Sequence, residues 1–232
     1  MLYPEAKIFV VSDTAYSVEF GDEISQAVAA KVAAFTALLD ADDTLPLLEI
    51  IPSYRAVLVM YNPLRTNAKE IAGQLKKMSS QLPQQGKIAG QTVEIPVCYG
   101  GAYGPDLAGL AAEKGLSEQE VIEIHSSAHY PVYMMGFMPG FAYLGGLDKR
   151  IAAPRLSIPR IAVNAGSVGI AGEQTGIYPL KLPGGWRLIG RTPLALFDKQ
   201  RPDPFLLKAG NTVRFVPINE QAYLDQGGEP LD

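Results

Sequence analysis

Arginine is the side chain whose placement in this sequence most needs a chemical reason. Arg155 and Arg160 stand in APRLSIPR and Arg191 in IGRTP, each beside proline or glycine among aliphatic residues. A guanidinium in apolar surroundings is costly unless it is paired or lines a cavity. Acids are scarce nearby: residues 131–200 hold eight basic side chains against Asp148, Glu173 and Asp198, a local balance of +5. These arginines read either as rim and surface ion pairs or as a bidentate clamp for a carboxylate or phosphate. His125, expected near a helix C-terminus, is either a cap there or, with its pKa raised by that position, an acid or base.

The aromatic residues offer a second theme. Residues 135–146 (MGFMPGFAYLGG) set Phe137, Phe141 and Tyr143 at alternate positions around Pro139-Gly140, so an extended segment would put them on one face. They form core packing or a flat pocket wall with one phenol tip. Trp186, the single tryptophan, follows Pro183-Gly184-Gly185 and is expected on an exposed turn. Gly166, Gly169, Gly172 and Gly176 either shape barrel corners or let a ligand approach backbone N–H groups. Ser167, in AGSVG, is not the nucleophile of a GxSxG elbow, and neither a GxxxxGK(S/T) loop nor a GxGxxG turn occurs. His125 and His129 are four residues apart but lack the glutamate of a zinc-protease helix. With Cys98 the only cysteine, no metal site and no internal disulfide is expected.

Around these groups, 23 glycines and 18 prolines in 232 residues are too many for a helical bundle, and 47% apolar content is too high for disorder. The charge is uneven, with 9 basic and 16 acidic side chains in residues 1–130 ahead of the basic segment. Arginines spaced singly among Gly and Pro do not resemble a nucleic-acid tail; a small anionic ligand or an acidic partner fits better. The single cysteine suits a reducing cytosol. The opening MLYPEAKIFVV lacks the pattern of a signal peptide. The uncharged run 130–147 is broken by Pro131, Pro139 and four glycines, so it is expected to be buried strand and turn rather than a membrane span.

Lys7–Val11, Ala15–Phe20, Leu47–Ile51 and Ala56–Tyr61 read as strands. After the first pair, Asp22 would cap a helix with Ile24, Val28, Val32, Phe35 and Leu39 on its apolar face. After the second, Asn67 and Glu70 in capping-box spacing open a helix burying Ile71, Leu75, Met78 and Leu82. This ββαββα order predicts a small α+β domain over residues 1–88. PQQGKIAG (83–90) reads as the linker. In residues 89–232, Thr92–Val97 is a strand placed at an edge or bulge by Pro96. Pro105–Lys114 is a helix stopped by Gly115, and Ser117 with Glu120 boxes a second helix ending near His125. Beyond Tyr130 no helical period appears. Apolar runs at 131–135, 168–171, 187–189, 195–197 and 213–216 between Gly/Pro turns predict a closed or nearly closed β-barrel.

Seven blocks, in order, resemble the KipI/PxpB family, also called allophanate hydrolase subunit 1: IPVCYGGAYGPDL (95–107), EQEVIEIHSS (118–127), GFMPGFAYLGGLD (136–148), PRLSIPR (154–160), AGSVGIAGEQTGIYP (165–179), PGGWRLIGRTP (183–193) and LFD (196–198). The resemblance implies an α+β N-terminal domain followed by a cyclophilin-like β-barrel. It implies the B-type component of a bacterial 5-oxoprolinase, which with A- and C-type subunits opens 5-oxoproline to glutamate using ATP and, with it, Mg²⁺ at the level of the complex. One branch is known as an inhibitor of a sporulation histidine kinase, which makes a kinase-binding module the alternative. Related domains occur fused within urea-degrading carboxylases. At family-motif positions, Phe137, Tyr143, Arg155, Ser167, Gln174 and Tyr178 are implied to contact substrate. Arg160 and Arg191 would take the substrate carboxylate and phosphate, His125 would act as base, and Trp186 would meet the partner. Asn164, Met138 and Ala142 depart from the family pattern. With no nucleotide motif of its own, the chain is expected to be half of an enzyme.

Overall fold

Strands β1 (Leu2–Ser12), β2 (Ala15–Gly21), β3 (Leu47–Pro52) and β4 (Ala56–Tyr61) form one antiparallel sheet in the order β1-β2-β4-β3. Alternation decides which face is buried: Tyr16, Val18 and Phe20 on β2 and Val57, Val59 and Tyr61 on β4 point the same way. Helices α1 (Gln26–Asp40) and α2 (Ala68–Ser80) cover that face with Val28, Val32, Phe35, Leu39, Ile71, Leu75 and Met78. The cap of α1 differs from the expectation. Ser25, not Asp22, accepts from the Val28 N–H, while Asp22 pairs with the Met1 ammonium and Ile24 stays exposed. On α2, Asn67 caps as expected, but Glu70 accepts from the Thr66 hydroxyl, so the box is half made.

This computed structural model describes residues 1–82 and 90–230, so residues 83–89 of the expected linker lie outside the described residues. The chain divides into two compact units, Met1–Ala89 and Gly90–Asp232.

The second unit contains β5 (Thr92–Tyr99), α3 (Leu107–Lys114), α4 (Glu118–Ser127), β6 (Tyr130–Met135), β7 (Ala142–Leu144), β8 (Arg160–Val163), β9 (Ser167–Ala171), β10 (Gln174–Ile177), β11 (Leu182–Gly184), β12 (Arg187–Arg191), β13 (Thr212–Ile218) and α5 (Glu220–Asp225). Seven of its strands close into a barrel in the order β10-β7-β6-β13-β5-β12-β9, and β11 pairs with β8 as a separate ribbon. Within the barrel only β5 and β13 run parallel. Its core is aliphatic, with Ile95, Val97, Val132, Leu144, Val168, Ile170, Ile189 and Val213 packed against Leu107, Leu110 and Val121 of α3 and α4.

Pro96 does not put β5 at a sheet edge. The strand lies between β13 and β12, and proline is tolerated because β12 pairs only with Cys98 and Tyr99. The stop after α3 is as expected, with Gly115 in the left-handed region at φ 66°. The reciprocal Ser117–Glu120 box opens α4. No strand forms at 195–197, where Phe197 makes an isolated bridge to Phe205. Helix α5, capped by Asn219, is six residues long, too short to leave a periodic signal in the sequence.

Candidate active site

Asp106 organises one side of the site. It stands at the N-terminus of α3 without capping it, because its carboxylate is engaged elsewhere. One oxygen accepts from the Leu188 N–H of β12 at 2.6 Å and the other from Arg160 Nη2 of β8 at 2.7 Å. A single carboxylate thus ties a helix start, a barrel strand and the β8–β11 ribbon together. Arg160 is not the unpaired cation its sequence context suggests, although its Nη1 is buried without an acceptor.

The opposite side is aromatic. Phe141, Tyr178 and Trp186 meet edge to face, with Phe141–Trp186 centroids 5.9 Å and Tyr178–Trp186 centroids 6.2 Å apart. Tyr143 and Phe137 extend the cluster from Phe141 at 5.0 and 5.7 Å. The expected alternation on one strand is not how they assemble, since β7 begins only at Ala142 and the preceding turn delivers Phe137 and Phe141. Phe137 is 73% exposed and adopts φ 62°, unlike every other non-glycine residue described. A bulky residue in the left-handed region is a conformation the surroundings must impose.

Trp186 is buried, which corrects its expected display on an exposed turn. The reason is glycine: a Cβ on Gly169 or Gly176 would come within 3.0 Å of its side chain. Those two glycines make room for the indole, and no anion-binding role is needed to explain them. Together Phe137, Phe141, Tyr143, Arg155, Tyr178, Trp186 and residues 182–185 line a pocket of about 150 Å³. Arg155 is exposed and has no ion-pair partner among the described residues. Burial raises the Tyr178 phenol pKa, and the Trp186 backbone N–H with the charges of Arg155 and Arg160 partly offsets this. Two cations therefore act on the polar tip of an otherwise apolar pocket. A larger hollow of about 780 Å³ lies in the first unit, where Lys76 and Lys77 are exposed on α2 and Lys31 is half-buried on α1.

His125 is elsewhere. It is fully buried in α4, with Nδ1 2.7 Å from the Tyr99 hydroxyl and Nε2 2.8 Å from Thr175 Oγ1. Thr175 donates its own proton to the Gly169 carbonyl, so Nε2 carries the hydrogen and Nδ1 accepts. Burial pushes the pKa down to about 3, opposite to the expected rise. The ring is neutral and fully buried, and it does not line the pocket described above. Arg191 is likewise interior, donating to the Ala165 carbonyl at 2.8 Å and to Glu229 at 3.1 Å. It fastens a loop and the C-terminal segment to β12 and does not reach the pocket. Ser167 is buried at the start of β9 and Gln174 lies on β10; neither lines the pocket. From sequence, Asp106 reads only as part of a helix start, although it stands within the IPVCYGGAYGPDL block (95–107).

The model of the family described as carboxyltransferase domain, subdomain C and D, matches residues 6–207. The chain belongs to that family. It is 43% identical to the B-type component of 5-oxoprolinase from Bacillus subtilis (strain 168) over 223 residues, covering 92% of this chain and 93% of that one. It is 59% identical to the corresponding 5-oxoprolinase component of Escherichia coli O157:H7 over 128 residues, covering 55% and 59% of the two chains. The crystal structure of TTHA0988 superposes with a TM-score of 0.77 at 37% identity, covering 88% of this chain. This chain spans only 40% of that protein, so the same domain there is part of a polypeptide that continues well beyond it. Among the described residues no helix is long and apolar enough to cross a membrane.

Proposed function

We propose that the chain is the B-type component of an ATP-dependent 5-oxoprolinase that, with A- and C-type subunits, opens 5-oxoproline to L-glutamate. The observation that carries this reading is the 43% identity along 93% of the Bacillus subtilis B-type component. The pocket is chemically suited to such a substrate. 5-Oxoproline is a flat five-membered lactam bearing one carboxylate, and a small aromatic pocket with a free arginine at its mouth matches both halves. In this reading Arg155 takes the carboxylate, the edges of Phe141 and Trp186 hold the ring, and Arg160, fixed by Asp106, adds positive potential beside Tyr178. The barrel is read as cyclophilin-like.

The nucleotide does not fit here. At about 150 Å³ the pocket is well below the ~300–1,000 Å³ of sites that hold drug-sized ligands. Among the described residues no three His, Cys, Asp or Glu side chains converge to hold a metal ion. ATP, Mg²⁺ and the base that activates water therefore fall to the A- and C-type subunits in this reading. Omitting one component at a time tests it. Glutamate formation from 5-oxoproline and ATP is expected with all three components and with no single one or pair. Turnover by this chain alone, or by the other two without it, defeats the reading.

A further inference from the structure

Tyr178 holds the one hydroxyl that the pocket shares with the β8–β11 ribbon. The residue follows β10 and is pinned through its backbone. Its N–H donates to the Ser167 carbonyl at 2.9 Å, and its carbonyl accepts from the Gly166 N–H at 2.7 Å. The ring is buried against Phe141 and Trp186, with centroids 6.5 and 6.2 Å away. The hydroxyl lies over Gly184 of β11, where a Cβ would come within 2.3 Å of the oxygen, and Gly184 pairs with Arg160 of β8. Backbone, ring and oxygen are therefore fixed, and only the hydroxyl proton is free to turn.

That proton is uncommitted. The oxygen accepts from the Trp186 backbone N–H, but among the described residues none accepts the proton in return. A buried hydroxyl without an acceptor is costly unless a group in the adjoining space takes its proton, and the adjoining space here is the pocket that Tyr178 lines. Burial raises the phenol above its ordinary pKa of 10.0, so at neutral pH it is a donor and not an anion. The charges of Arg155 and Arg160 act on the same oxygen, which favours an acceptor carrying partial negative charge. Once Arg155 holds the carboxylate of 5-oxoproline, the acceptor that remains on the ligand is its ring carbonyl, an amide oxygen made electron-rich by resonance. We propose that Tyr178 is the specificity-determining donor to that carbonyl, so that the pocket selects small ring amides bearing a carboxylate over saturated ring acids. This rests on the 5-oxoprolinase reading and names the chemical feature of the substrate that the pocket reads.

The test is the affinity of the assembled complex, without ATP, for 5-oxoproline and for cyclopentanecarboxylate, measured by calorimetry. The second probe keeps the five-membered ring and the carboxylate but has no ring amide. The wild-type complex is expected to bind 5-oxoproline at least ~10-fold more tightly, because the second probe leaves the donor without an acceptor. Tyr178→Phe, which keeps the ring and its packing, should weaken 5-oxoproline at least ~10-fold and leave cyclopentanecarboxylate unchanged. An unchanged thermal midpoint and Trp186 emission establish that the pocket wall is intact in the variant. Equal affinity of the wild-type complex for the two probes overturns the proposal, whether or not the variant folds, and so does binding of neither. Undiminished 5-oxoproline binding by Tyr178→Phe also overturns it, as does an equal weakening of both probes, which assigns Tyr178 to packing alone. Selective loss in Tyr178→Phe, with a wild-type complex that binds 5-oxoproline but does not open it when ATP is added, leaves the carbonyl contact standing and removes the functional reading. Turnover by the wild-type complex with undiminished affinity in the variant does the reverse.

Discussion

At the scale of single residues, environment reassigns roles that residue type suggests. Of His125, Arg160 and Arg191, the three expected to do chemistry, His125 and Arg191 are interior and hydrogen-bonded. The histidine leaves a measurable signature. Its folded pKa of about 3 lies below its ordinary value of 6.5, so between these values the unfolded chain binds a proton that the folded chain refuses. Stability from this group is complete above pH 6.5 and falls on acidification by up to ~1.4 kcal/mol per pH unit. Urea unfolding at pH 7 and pH 5 should show this loss in the wild-type chain, while His125→Gln, less stable throughout, lacks that increment. An equal loss in both would mean the ring is not held neutral. None of this was legible in sequence, because the groups that fix His125 lie 26 and 50 residues away. For the same reason Arg160 looked unpaired: its acid, Asp106, is 54 residues upstream.

At the scale of elements, local signals were read well where the cause is local. The Ser117–Glu120 box, the Gly115 stop and the strand pairs of the first unit follow from neighbouring residues. The aromatic cluster was legible in membership but not in mechanism, since a turn and two strand glycines assemble it, not strand alternation. Glycine spacing controls the pocket directly. A Cβ on Gly184 would lie 2.3 Å from the Tyr178 hydroxyl oxygen and 2.7 Å from ring carbons. Tyr178 is buried beside Phe141 and Trp186 and has little room to retreat. Gly184→Ala should therefore cost ~1–3 kcal/mol through overpacking. It should also shift the emission of the single tryptophan, Trp186, to the red as its packing loosens. An unchanged spectrum and thermal midpoint would show that the ribbon yields instead and that the pocket wall is softer than its packing suggests.

At the scale of the whole molecule, the barrel unit holds a small, largely aromatic pocket with Arg155 among its lining residues. Fold class and the family were visible in sequence because seven ordered blocks and the Gly/Pro-punctuated strands carry them. The account places the substrate carboxylate at Arg155, an exposed side chain that contributes little to folding. The decisive measurement is kcat/KM for 5-oxoproline in the complex of A-, B- and C-type subunits, with wild-type chain and with Arg155→Ala. The account predicts a fall of at least ~10-fold, the loss of a charge-assisted contact worth ~1.5–3 kcal/mol, with complex assembly and thermal midpoint retained. Wild-type kcat/KM in the assembled Arg155→Ala complex would contradict it.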